Sequence, residues 1–333
     1  MSYSVAVVGA TGAVGSTMIQ SLQELNFPVS QLHLLATARS AGSHYRYRDQ
    51  TVTVQDIENF DFAGVQVALF AGGEIASEKL VPRAQQAGAI CIDNSASFRM
   101  HANVPLVVPE VNSEALRTHQ GIIANPNCST IQMVAALKPF VDLGLRRVLV
   151  STYQSVSGTG KEAIEELENQ TRAWASGQPA PPPRIYPVPI AFNVLPQIGS
   201  FGPDGFTGEE TKMMEETRKI LSLPQLRISA TCVRVPVFYG HSESVHIELD
   251  RPCSVAQAEE RLKTMAGLQV MAAGPTPTPL QAAHQDEVMV GRIRLDPSVE
   301  NGLQFWVVAD NLRKGAASNA VQIACKMLEM KLL

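Results

Sequence analysis

Three glycines, Gly9, Gly12 and Gly15, follow a short β-rich run and open an amphipathic helical pattern. The run Tyr3–Val8 stops abruptly at Gly9. A helix is expected over roughly Gly12–Leu25, with Val14, Met18, Ile19 and Leu22 on one face. In this G-x-x-G-x-x-G spacing the first glycine permits a tight turn. The second lets a ligand approach the backbone, and the third lets the helix pack close to the strand. Unpaired N–H groups at the helix start favour an anion such as a pyrophosphate. Gly9, Thr11, Gly12, Ala13, Val14 and Gly15 are therefore candidate cofactor-binding residues. A second apolar run, Leu32–Ala36, leads into Thr37-Ala38-Arg39-Ser40-Ala41-Gly42. No acid stands there to hold ribose hydroxyls. Arg39 and the Ser40 hydroxyl suit a 2′-phosphate, which selects NADP.

Further strands are expected at Val65–Phe70, Ala89–Ile92 and Ile122–Ala124, with a helix at Ala76–Gln86. Strand and helix alternate, which predicts an α/β lobe with a doubly wound parallel sheet. From Val148 strand-like runs follow one another: Val148–Gln154, Arg227–Val237, Ser244–Leu249 and Leu303–Ala309. This predicts a second, α+β lobe with a mostly antiparallel sheet. Gly177–Gly199 carries seven prolines and is irregular, either an ordered arm or a linker. Ala316–Leu333 reads as a helix, with Val321, Ala324, Cys325, Leu328 and Leu332 in register.

A chain of 333 residues, 45% hydrophobic and 17% charged, accommodates two domains with substantial cores. The net charge of −4, without a basic run, argues against a nucleic-acid partner. No window reaches the roughly 20 apolar residues of a membrane span. The N-terminus shows no targeting pattern, so a cytoplasmic protein is expected. Five cysteines, with no C-x-x-C pair, speak against a disulfide framework or a metal site.

Cys91 and Cys325 sit in apolar strand and helix patterns and read as core. Cys128 differs. It lies in Asn125-Pro126-Asn127-Cys128-Ser129-Thr130, after a strand and before the helical pattern Ile131–Val141. The positive end of a helix favours the thiolate, the nucleophilic form. A cysteine attacking an aldehyde needs a proton acceptor. His241 follows Gly240 after the run ending at Val237, but spacing alone does not choose it over His246, His284 or His119. Arg234 interrupts an apolar strand and needs an anionic partner; Arg99, in Asp93-Asn94-Ser95-Ala96-Ser97-Phe98-Arg99, is similarly placed. Thr207 and Glu210 have the spacing of a capping box. Glu209 and Lys212, three apart on one helix face, fit an ordinary surface ion pair as well as a site.

Together these motifs resemble the aspartate-β-semialdehyde dehydrogenase family, within the glyceraldehyde-3-phosphate dehydrogenase-like superfamily. The likeness spans nearly the whole chain: GATGAVG, ATARSAG, DNSASFRM, VPLVVPEVN, NPNCST, YQSVSGTG, the EETK helix, RVPVFYGHS and DNLRKGAASNA. It implies reversible NADPH-dependent reduction of L-aspartyl-4-phosphate to the semialdehyde and phosphate through a cysteine thioester. The product would feed lysine, methionine, threonine and diaminopimelate synthesis. It implies Cys128 as nucleophile, His241 as acid–base group and Gln154 as a group orienting the thioester. Arg234 would hold the substrate carboxylate, Glu209 the amino group, and Arg99 and Lys212 the phosphate, with Asn127 beside the nucleophile. The implied organisation is a Rossmann NADP domain, residues 1–127 plus 313–333, and a catalytic and dimerisation domain, residues 128–312, in a homodimer. Three positions depart from common family patterns: Gln197 and Gly199 replace His and Asp, and Thr211 replaces an aromatic. They bear on substrate fit and dimer contacts. Alternative readings are N-acetyl-γ-glutamyl-phosphate reductase, for which an amine-binding Glu209 is wrong, and a non-catalytic paralogue, which would not need both Cys128 and His241.

Overall fold

β1 (Tyr3–Val8) runs through the middle of a seven-stranded sheet, buried almost along its length, as a parallel strand covered on both faces must be. The chain is described here from a computed structural model covering residues 2–271 and 276–333. The other strands are β2 (Val29–Ala36), β3 (His44–Tyr47), β4 (Gln50–Asp56), β5 (Val67–Phe70), β6 (Ile90–Asp93) and β7 (Ile122–Ala124). Their order is β3-β4-β2-β1-β5-β6-β7. All pairs are parallel except the β3–β4 hairpin at the edge. No sequence pattern predicts that hairpin. It is edge structure, half exposed and polar, without a clean apolar alternation. Helices α1 (Ala13–Glu24), α2 (Glu74–Gln86) and the short α3 (Pro109–Asn112) belong to the same unit, which comprises Met1–Asn127 and Gly315–Leu333. α1 buries Gly15, Met18, Ile19, Ser21 and Leu22, the face its sequence pattern marks.

The second unit, Cys128–Lys314, is built on a mixed sheet. Its strands are β8 (Leu145–Gln154), β9 (Arg227–Arg234), β10 (His241–Leu249), β11 (Leu268–Met271), β12 (Val288–Leu295) and β13 (Gly302–Ala309), in the order β11-β12-β13-β10-β8-β9. The centre is antiparallel, with a parallel pair at each edge, β8–β9 and β11–β12. α4 (Cys128–Leu137), α5 (Lys161–Ala175), α6 (Gly208–Leu221), α7 (Val255–Lys263) and the short α8 (Pro279–Ala282) complete it. α4 packs on β10, β12 and β13, and α6 packs on β9. On β8 the inward residues Val148, Val150, Thr152 and Gln154 are buried. Leu149 and Tyr153, on the opposite face, stay 37% and 41% exposed.

The proline-rich segment is an ordered arm. Glu166 Oε2 accepts from the Arg184 and Ile185 N–H groups, and Gln170 Oε1 from those of Ile190 and Ala191. Leu195 then pairs with Arg234 as an added edge to β9. The chain finally returns to the first unit as α9 (Ser318–Glu329), which packs on α1 with the Ser21 and Ser318 hydroxyls 3.1 Å apart. Val321 and Ala324 are fully buried there. Cys325 and Leu328 are partly buried against the same core.

Candidate active site

In the second unit a single cross-strand row carries most of the chemistry. Gln154 on β8 pairs with Arg234 on β9. His241, the first residue of β10, lies one step beyond the Ser242–Tyr153 pair, which brings it level with Gln154. The sequence pattern predicts a strand running on to Val237. Instead β9 ends at Arg234, before Val235-Pro236, and His241 begins the next strand. Pro236 has no N–H to extend a ladder. All three side chains are buried.

Above the row runs the loop Ser155–Gly160. A Cβ added to Gly158 would sit 3.0 Å from Arg234 Nη1 and 3.2 Å from His241 Nε2, so both groups converge on one small space. Arg234 Nη1 also donates to the Ser155 carbonyl at 2.7 Å, while Arg234 Nε is buried with no hydrogen-bond partner among the described residues. An unmatched buried donor costs about 1–3 kcal/mol, and a carboxylate would satisfy it. His241 Nε2 is likewise buried without a partner, whereas Nδ1 lies 3.1 Å from both the Ser155 N–H and the Ser155 hydroxyl. Burial, then the neighbouring Arg234 charge, hold the imidazole well below its ordinary pKa, so the ring is neutral at neutral pH.

Cys128 is the first residue of α4, at the positive end of the helix dipole, which favours an anion. The apolar pattern alone predicts the helix from Ile131, three residues later. One turn on, Gln132 Nε2 donates to the His241 carbonyl at 3.3 Å. Residues four apart share a helix face, so Cys128 lies on the side of α4 that meets β10. The other cysteines are poor nucleophiles. Burial pushes the Cys91 thiol up to about 12 and that of Cys325 to about 11, and also raises Cys232 and Cys253. No disulfide links any of the five.

Glu209 is buried on α6 and accepts from Gln154 Nε2 at 3.1 Å. This is no solvated ion-pair position. Lys212, one turn along, is half buried. The capping box forms, with Glu210 Oε2 taking the Thr207 N–H at 2.7 Å. Its other oxygen takes the Cys232 N–H on β9, which ties α6 to the sheet. Two rows along, on the same face, Glu243 stands between Thr152 and Val307. Burial holds its carboxyl well above the usual range, and the Glu209 charge adds to the rise. Glu243, Ser155, Ser157, Gly158 and Asn311 carry no role in the sequence reading. Only register and loop closure bring them to the row.

In the first unit Gly9 has φ +80°, and a Cβ there would meet the Ala71 carbonyl oxygen at 2.7 Å. A Cβ on Gly15 would overlap the Gly9 carbonyl. Gly12 is exposed, and its Cβ would make only an ordinary 3.4 Å contact, so packing does not demand a glycine there. Thr11, Ala13 and Val14 are adjacent at the helix start. Arg39 is exposed and Ser40 half buried in the turn after β2. Arg99 is buried, with Nε on the Asn125 carbonyl at 3.0 Å and Nη2 on that of Asn94 at 2.7 Å. Asn125 also bonds Asn94, Ala316 and Asn319, which pins the segment leading to the buried Asn127.

A dinucleotide-type sheet in one unit and a buried imidazole, guanidinium and helix-start thiol in the other define an oxidoreductase acting on an acyl or aldehyde group. Residues 4–119 match the family described as semialdehyde dehydrogenase, NAD binding domain, and residues 137–314 that described as semialdehyde dehydrogenase, dimerisation domain. The chain is 51% identical over 331 residues to an aspartate-semialdehyde dehydrogenase of Aquifex aeolicus, covering 97% of each. It is 49% identical to that of Bacillus subtilis, covering 99% of this chain and 98% of the relative. The crystal structure of aspartate semialdehyde dehydrogenase II from Vibrio cholerae, solved also in complex with ASA, superposes with a TM-score of 0.97 at 49% identity over 99% of both chains. The chain belongs to the aspartate-semialdehyde dehydrogenase family, and it is an enzyme of amino-acid biosynthesis.

Proposed function

We propose that the protein reduces L-aspartyl-4-phosphate to L-aspartate-4-semialdehyde and phosphate, reversibly and with NADPH, through a thioester on Cys128. The observation that carries this reading is the convergence of Arg234 Nη1 and His241 Nε2 on the space beside Gly158. A substrate carboxylate there completes the buried guanidinium, and its far end meets the imidazole. Glu209 receives the substrate amino group, and Arg99 and Lys212 supply positive charge for the phosphate.

Cofactor binding fits the first unit. The open helix start at Gly12 takes the pyrophosphate, and Arg39 and Ser40 the 2′-phosphate. When bound, NADPH supplies the hydride. The chain's residues do the rest. His241 takes the Cys128 proton. The thiolate attacks the acyl carbon, the C–O bond to phosphate breaks, and phosphate leaves. Gln154 and Asn127 orient the resulting thioester. Backbone N–H groups at the start of α4 stabilise the oxyanion of the later hemithioacetal. Its collapse breaks the C–S bond and returns the thiolate.

The exposed Leu149 and Tyr153 face, in the part of the chain matching the dimerisation domain, is the surface we assign to a homodimer. The product would serve lysine, methionine, threonine and diaminopimelate synthesis in the cytoplasm. No helix among the described residues is long and apolar enough to cross a membrane. The test is NADPH formation from NADP and L-aspartate-4-semialdehyde, with phosphate and without it. Phosphate-dependent absorbance is expected. Activity confined to the longer N-acetylated semialdehyde would overturn the substrate assignment.

A further inference from the structure

His241 Nδ1 faces two groups of one residue, the N–H and the hydroxyl of Ser155. The N–H can only donate, so it favours the tautomer with Nδ1 bare and the proton on Nε2. That form gives a proton at Nε2 but cannot take one there. A ring that accepts the thiol proton at Nε2 must hold its own proton on Nδ1. It then needs an acceptor facing Nδ1. Ser155 Oγ serves only if its hydrogen points elsewhere.

Asn311 directs that hydrogen. It is buried, with Oδ1 3.0 Å from the Gly240 N–H, 3.0 Å from Ser155 Oγ and 3.1 Å from Ser157 Oγ. The Gly240 N–H is an obligate donor, which fixes Oδ1, not Nδ2, as the atom at this point. Asn311 Nδ2 in turn donates to Ser157 Oγ at 2.9 Å. One set of hydrogens satisfies every group: Asn311 N–H to Ser157, Ser157 O–H to Ser155 across 3.1 Å, and Ser155 O–H to Asn311 Oδ1. Ser155 Oγ then turns a lone pair toward Nδ1.

We propose that Asn311 is a positioning residue that acts through Ser155 to make His241 competent as a base. Ser155 offers its hydroxyl oxygen to an Nδ1–H ring and its N–H to a bare Nδ1, so the imidazole keeps its place in both forms. The Cys128 S–H bond breaks, its proton forms the Nε2–H bond, and the imidazolium keeps Nδ1–H on Ser155 Oγ. Buried histidines depend strongly on such orientation, and the wrong tautomer removes most of a base's contribution. The charged and titratable groups around the ring are Arg234 from β9, Cys128 from α4, Glu209 from α6 behind Gln154, and Glu243 on its own strand. Asp310, after β13, is occupied by the N–H groups of His284, Leu312 and Arg313.

This inference rests on His241 as the acceptor of the Cys128 proton. Its test is the pH dependence of Cys128 alkylation by iodoacetamide, which needs no substrate and so judges the Asn311–Ser155 contact separately from the assigned reaction. In Asn311→Leu the freed Ser155 hydroxyl can donate to Nδ1. The alkylation midpoint should rise toward the ordinary thiol value near 8.5, with kcat down about 100-fold and KM little changed. Asn311→Asp keeps an acceptor for Gly240 and Ser155 and should recover most of the neutral-pH alkylation rate. Ser155→Ala, which removes the acceptor, should reproduce the shift and serves if Asn311→Leu does not fold. A wild-type midpoint in either variant, with circular dichroism matching wild type, overturns the proposal.

Discussion

The two units bring chemistry together in different ways. In the first, the cofactor residues are sequence neighbours: Gly9 to Gly15 form one turn, and Arg39 and Ser40 the next. Local backbone geometry places them. In the second, Gln154, Glu209, Arg234 and His241 come from three strands and a helix; strand register makes a row of the three strand residues, and a hydrogen bond from Gln154 joins Glu209 of α6 to it. A site of the first kind fails through its backbone. A site of the second kind fails through small errors in side-chain space, because burial leaves no slack.

The largest expected effect is at the nucleophile. Cys128→Ala should abolish turnover while leaving the NADP dissociation constant unchanged, as titration by fluorescence would show. Next is Gly158→Ala, whose methyl would enter the space between Arg234 and His241. A loss of about 100-fold in kcat/KM, again with normal NADP binding, would sharpen the contrast. Unaltered kinetics would break it. The glycine turn should split by position. Gly15→Ala collides with the Gly9 carbonyl and should cost about 1–3 kcal/mol in denaturant unfolding. Gly12→Ala should leave stability nearly intact and weaken NADP binding. Arg39→Ala should reduce the preference for NADP over NAD about tenfold, a difference of about 1.4 kcal/mol.

The smallest effect concerns Glu243. Its folded-state pKa is raised by burial, so the stability linked to its protonation is present below the unfolded value, about 4.3, and is lost as pH rises through the folded value. Glu243→Gln does not titrate. The variant's melting temperature should therefore gain on wild type as pH rises from about 4. A constant difference across pH would show that folding leaves the Glu243 pKa unchanged.

The same contrast governs what the sequence reveals. Buried parallel strands such as β1 and β5 are continuous apolar runs, and the glycine turn is visible locally. Cys128 stands out because a turn and a helix start surround it. The β3–β4 hairpin and β12 do not. β12 is interrupted at Gly291 by a register shift, with Arg292 at φ +53°. The polar start of β10, His241-Ser242-Glu243, looks like loop, yet it is fully buried because β8 and β13 flank it. Spacing could not choose among the histidines for this reason. Asn311 meets Ser155 from 156 positions away, a contact no local pattern announces.

The most direct measurement is intact-protein and peptide mass spectrometry after incubation with NADP and L-aspartate-4-semialdehyde in the absence of phosphate. The expected result is one aspartyl group on the Cys128 peptide, discharged when phosphate is added. Turnover without any such adduct, or an adduct on another cysteine, would contradict covalent catalysis by Cys128.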